Sequence, residues 1–64
     1  MVYVATVQYE GVDERRNSFV THDVIGVFHS ETIADEALTR ARQTLIKQGY
    51  ENVSTALWHK YIGD

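Results

Sequence analysis

At 64 residues, with no cysteine and a formal charge of −3, the chain is short for a self-sufficient hydrophobic core and has no disulfide, thiolate metal site or thiol nucleophile. Its acidity weighs against a protein that binds by neutralising phosphates, and no apolar run approaches the roughly 20 residues that span a bilayer. The opening Met1-Val2-Tyr3-Val4 has neither a basic flank nor a small-residue cleavage site, so one complete, untargeted, cytoplasmic domain over residues 1–64 is the expectation.

Val2 to Tyr9 alternates as a strand does, with Tyr3, Ala5, Val7 and Tyr9 on one face and Val2, Val4, Thr6 and Gln8 on the other. Thr6 and Gln8 polarise the second set, which assigns the first to the core. Glu10 to Asn17 is polar and charged, with Gly11 and Asn17 as turn formers, and reads as a hairpin loop. Phe19 to Phe28 returns as a second strand of β-branched and aromatic residues, where Gly26 marks a bulge or a close approach of the helix.

Ser30 stands where a helix N-cap belongs, with Glu31, Asp35 and Glu36 near the positive end of the helix dipole. The helix is expected from about Glu31 to Gln48. Ala34, Ala37, Leu38, Ala41 and Leu45 form its apolar stripe, small enough to lie close to a sheet, and Gly49 is placed to end it in the left-handed conformation. Val53 to Ile62 reads as a third strand, in which Val53, Thr55, Leu57, His59 and Tyr61 alternate with Ser54, Ala56, Trp58, Lys60 and Ile62. Both sets hold large apolar groups, so parity does not decide whether Leu57 or Trp58 faces the core.

These elements give an α+β domain of β-β-α-β order, and the preferred arrangement is a three-stranded antiparallel sheet, strand order 2-1-3, with the helix on one face. A right-handed crossover would instead set the third strand parallel beside the second. The run Ile25-Gly26-Val27-Phe28-x-Ser30-Glu31-x-x-Ala34-x-x-Ala37 resembles a pattern in small bacterial and phage proteins of uncharacterised function, well over residues 24–38 and loosely over 1–48. That resemblance implies a fold and no activity. The segment Glu31 to Gly49 also looks like the helix of small phage inhibitors of bacterial RNA polymerase, with an insertion between Thr32 and Asp35, a likeness of scale and architecture only.

Little in the chain points to reaction chemistry. His22, His29 and His59 match no compact ligand spacing, so solvent-facing histidines are the reading and no metal or other cofactor is expected. Ser18, Thr21, Ser30, Ser54 and Thr55 lack a strained elbow or a glycine-rich oxyanion loop, and Ser30 is better used as a cap. The chain therefore reads as a non-enzyme.

Binding residues are easier to nominate. Arg15 and Arg16 at the hairpin tip suit a phosphate or an acidic surface, although Asp13 and Glu14 directly before them favour a self-neutralised loop. Trp58, with Tyr61 and Tyr50 taken as neighbours, belongs to the residue types of binding hot spots, and a three-stranded sheet with one helix leaves a face to cover. Glu10, Asp13, Glu14, Asp35 and Glu36 could compete for a basic groove on RNA polymerase, a nuclease or a CRISPR effector. The expected function is a non-enzymatic protein-binding module, a phage or mobile-element inhibitor or accessory factor of a larger protein. A self-associating homodimer is the alternative, and weak nucleic-acid binding through Arg15, Arg16, Lys60 and Trp58 ranks last.

Overall fold

The computed structural model describes residues 1–61. It contains β1 (Val2–Val12), β2 (Ser18–Phe28), α1 (Glu31–Lys47) and β3 (Glu51–Lys60). The sheet is antiparallel with strand order β2-β1-β3, the order preferred from the sequence over the crossover, and the helix packs on it. Because α1 returns the chain along the sheet, β3 runs in the direction of β2, and only the free edge of β1 offers it an antiparallel neighbour.

The helix lies against the sheet through small residues. Ala34 and Ala5 are completely shielded from solvent, and Val7 and Leu38 are buried beside them. Ala37, Ala41 and Leu45 complete the stripe at half-burial. Val2, assigned by parity to the other face, is buried as well. Tyr3 and Tyr9 are half-buried, so the core face of β1 is as expected but covered only over its middle.

Both ends of α1 are closed by local chemistry. Ser30, in extended backbone, accepts a long 3.4 Å hydrogen bond from the Ile33 N–H through its hydroxyl. At the other end the Gly49 N–H donates to the Ile46 carbonyl and the Tyr50 N–H to the Leu45 carbonyl, with Gly49 at φ +92°. This is the Schellman closure, and the glycine is there because its conformation is left-handed.

Three boundaries differ from the sequence expectation. β1 runs on through Glu10, Gly11 and Val12, which pair with Val20, Phe19 and Ser18, so Gly11 is a strand residue and not a turn former. Pairing places it in the strand, and sterics make it a glycine: a Cβ on Gly11 would come within 2.5 Å of the Phe19 ring and 2.9 Å of the Tyr50 ring. The loop is thereby reduced to Asp13–Asn17. There the Arg16 N–H donates to the Asp13 carbonyl and Arg16 has φ 65°, the three-residue hairpin form with a left-handed last position. β3 begins two residues early, at Glu51; its expected last residue, Ile62, lies outside the described residues.

Two bulges bend the sheet. Gly26 pairs with Ala5 and Val24 with Thr6, leaving Ile25 as the extra residue beside Gly26, where a bulge is expected. The close neighbour at Gly26 is the Phe28 ring and not the helix. On the other side Gln8 pairs with Ser54 and Glu10 with Glu51, and Asn52 takes up the irregularity at φ 51° while its amide donates to the Glu10 carboxylate.

Candidate functional site

The face of the sheet opposite the helix is built from the alternate residues of all three strands. Register sets them in rows: Val27, Val4 and Trp58 across one line, Val24, Thr6 and Ala56 across the next, and His22, Gln8 and Ser54 beyond. The first two rows are apolar except for Thr6. Val24, Val27 and Trp58 are 65%, 59% and 62% exposed, so this side of the sheet is open to solvent.

Trp58 therefore faces out and Leu57, half-buried, faces the helix side, which settles the question that parity leaves open. Its indole N–H donates to the Thr6 hydroxyl at 3.2 Å, and that hydroxyl lies 3.5 Å from the Ala56 carbonyl it can donate to. The ring is thus held toward β1 rather than left to swing. A shallow hollow of about 300 Å³ lies among Thr6, His22, Asp23, Val24, Ala56 and Trp58.

The other nominated residues are not drawn into this surface. Tyr50 is not a neighbour of Trp58; it stacks at the far end, with ring centroids 4.6 Å from Tyr9 and 6.4 Å from Phe19. Tyr61 follows β3 and is exposed. Arg15, Arg16, Asp13 and Glu14 form the hairpin tip, beyond the end of the sheet where α1 finishes, whereas Asp35 and Glu36 are exposed in the first turns of α1 at the opposite end. Glu10 is engaged by Asn52. The five carboxylates thus lie in separate groups along the molecule.

Asp13 is used locally. One carboxylate oxygen accepts the backbone N–H groups of Asn17 at 2.8 Å and Arg15 at 2.9 Å. The bond from Asn17, then that from Arg15, holds its carboxyl below the usual carboxylate range. It folds the turn, a different task from the neutralisation of Arg15 and Arg16 that sequence proximity suggests. Tyr9, by contrast, is pushed above the ordinary phenol value, first by desolvation and then by the hydrogen bond it donates to Asp23 at 3.2 Å.

His22 lies on the open face, His29 at the β2-to-α1 junction and His59 opposite Tyr3, all exposed. Among the described residues no three His, Asp or Glu side chains converge as metal ligands would. Sequence reasoning missed the Tyr9, Phe19 and Tyr50 cluster over Gly11. The signal available was a glycine at the end of an alternating strand pattern, followed eight positions later by a phenylalanine.

The site is thus an open, largely apolar sheet face on a β-β-α-β, α+β scaffold. No helix of the described residues is long and apolar enough to cross a membrane. No family model matches the chain, and no curated protein or solved structure matches it either.

Proposed function

We propose that this chain is a non-enzymatic protein-binding module that works by laying the open face of its sheet against another protein. The observation that carries the reading is the uncovered apolar surface of Val24, Val27 and Trp58, anchored by a tryptophan whose ring is already oriented by Thr6. A side chain held in place before contact loses less rotamer freedom on binding, and tryptophan is the residue type most often found at binding hot spots. The reading covers two kinds of partner. One is a larger cytoplasmic machine, such as RNA polymerase, a nuclease or a CRISPR effector, whose surface a phage-type inhibitor or accessory factor would occupy. The other is a second copy of the chain.

A tagged pull-down from nuclease-treated lysate tests the surface, with Trp58→Ala and Arg15→Glu/Arg16→Glu run alongside. The expected result is a stoichiometric partner, foreign or self, that is lost with Trp58→Ala and retained with the hairpin double variant. A partner lost only with the hairpin variant would move the interface to the tip, and the absence of any partner in a monomeric chain would sink the reading.

A further inference from the structure

The chain carries more surface than its mass requires. A compact monomer of 7.3 kDa exposes about 4,200 Å² by the usual scaling of area with mass. This one exposes 5092 Å², an excess of roughly 900 Å², close to the roughly 800 Å² that each partner contributes to a standard protein interface. The radius of gyration is 13.6 Å against about 11 Å for a compact chain of this length, because the molecule is long and thin, 49 × 21 × 13 Å. Among the described residues, meanwhile, the buried core consists of Val2, Ala5, Val7, Ala34 and Leu38, and none of their large side chains is fully buried. One sheet face packed on one helix has thus been used, and the other face is what remains to be buried.

The pattern on that face suits its own copy. Its rows carry the bulky group on one edge strand and β-branched groups on the other: Trp58 on β3, Val27 and Val24 on β2, with Val4 and Thr6 on β1 between them. A two-fold axis running along β1 reverses each row onto itself. Trp58 of one copy then lies over Val27 of the other and Ala56 over Val24, while the polar row of His22, Gln8 and Ser54 again meets a polar row. The three rows hold no carboxylate, ammonium or guanidinium group; the charged groups that border them are Asp23 beside Val24, Glu10 in the row beyond Gln8 and Lys60 opposite Val2 at the other end, while Glu31, Asp35 and Glu36 stay outside on the helices. Sheet faces packed in this way form a two-layer core about 10 Å thick.

We propose that the open face is covered by a second copy of this chain, giving a symmetric dimer whose two sheets are packed between two outer helices. The proposal rests on the reading of that face as a protein-binding surface and names its occupant. Self-pairing through an unpaired sheet edge, β2 or β3, is the competing arrangement, and it would leave Val24, Val27 and Trp58 in water.

The test follows the purified full chain from nanomolar to high micromolar concentration by sedimentation velocity, thermal melting and the emission of Trp58, its only tryptophan. Val24→Lys and the helix-surface control Gln43→Lys are measured in parallel. The expected result is a mass twice that of the chain, a melting midpoint that rises with concentration, and Trp58 emission that moves to shorter wavelength as the dimer forms. Val24→Lys weakens association at least about a hundredfold, as a buried unpaired charge does, and Gln43→Lys leaves it unchanged. A chain that folds only as it dimerises supports the proposal equally, and the wild-type melt reads this without any variant.

A cooperatively folded monomer at every concentration overturns the dimer. So does a dimer whose Trp58 emission stays that of an exposed indole and ignores Val24→Lys, because its contact is the strand edge. A monomer that still captures a foreign partner through Trp58 overturns the self-pairing alone, whereas a monomer with no Trp58-dependent partner overturns the binding reading with it.

Discussion

Gly11 and Asp13 stand two positions apart, and each is explained by what surrounds it rather than by its residue type. Glycine at 11 leaves room for the Phe19 and Tyr50 rings, and Gly11→Ala would drive a Cβ into both. The expected cost is about 1–3 kcal/mol in chemical denaturation, typical of forcing extra volume into packed rings; an alanine variant as stable as the parent would show that the rings do not rest there. At Asp13 the folded carboxyl titrates below its unfolded value. The carboxylate's contribution is therefore fully present above the unfolded value, near pH 4, and is lost as pH falls through the folded one. Comparing the parent with Asp13→Asn across that range, the stability gap is expected to close on acidification; a gap independent of pH would mean that the turn does not depend on the charge. The sequence places both in one polar loop, with Gly11 as a turn former, and only pairing across the hairpin separates the strand residue from the loop residue.

Element boundaries follow the same division between local and non-local causes. Helix α1 was legible nearly to the residue because its determinants are local: a serine cap, an apolar stripe at helical spacing and a glycine at the left-handed end. Ser30→Ala is expected to lower stability by about 0.5–1 kcal/mol, toward the low end for an N-cap because the bond to Ile33 is long at 3.4 Å. Ser30→Asp is expected to retain that contribution, and equal losses in both variants would argue that the cap is not what Ser30 supplies. The strands were less legible. Glu10-Gly11-Val12 has weak strand propensity, yet it extends β1 because Val20, Phe19 and Ser18 lie across from it. Bulges at Ile25 and Asn52 also shift the parity by which faces are read, so that Val27 and Val24, three positions apart, share one face.

For the molecule as a whole, a three-stranded sheet covered on one side by a single helix buries little and exposes much. The fully shielded positions are alanines, whose removal from water contributes little each, and the larger apolar side chains of the open face remain in solvent. A chain built this way gains by mass action from anything that covers the open face. This is why the concentration dependence of its melting is the most direct measure of its natural state. The same geometry limits the charge-mimic idea: Asp35 and Glu36 sit at one end, Glu14 at the other, and Asp13 and Glu10 are held by neighbours. They present no continuous acidic surface.

The sequence by itself determined the β-β-α-β order of the elements, the position and caps of the helix, and the alanine seam on which it packs. Each follows from periodicity and short-range hydrogen bonding, which act within a few residues and leave a readable pattern. The tertiary structure alone decided that Trp58 faces outward, that Tyr50 joins Tyr9 and Phe19 instead of Trp58, and that the nominated binding residues fall into separate regions. Those outcomes depend on strand register and on bulges, and register is set by pairings between residues as far apart as Thr6 and Ala56, whose effect on facing no single segment contains.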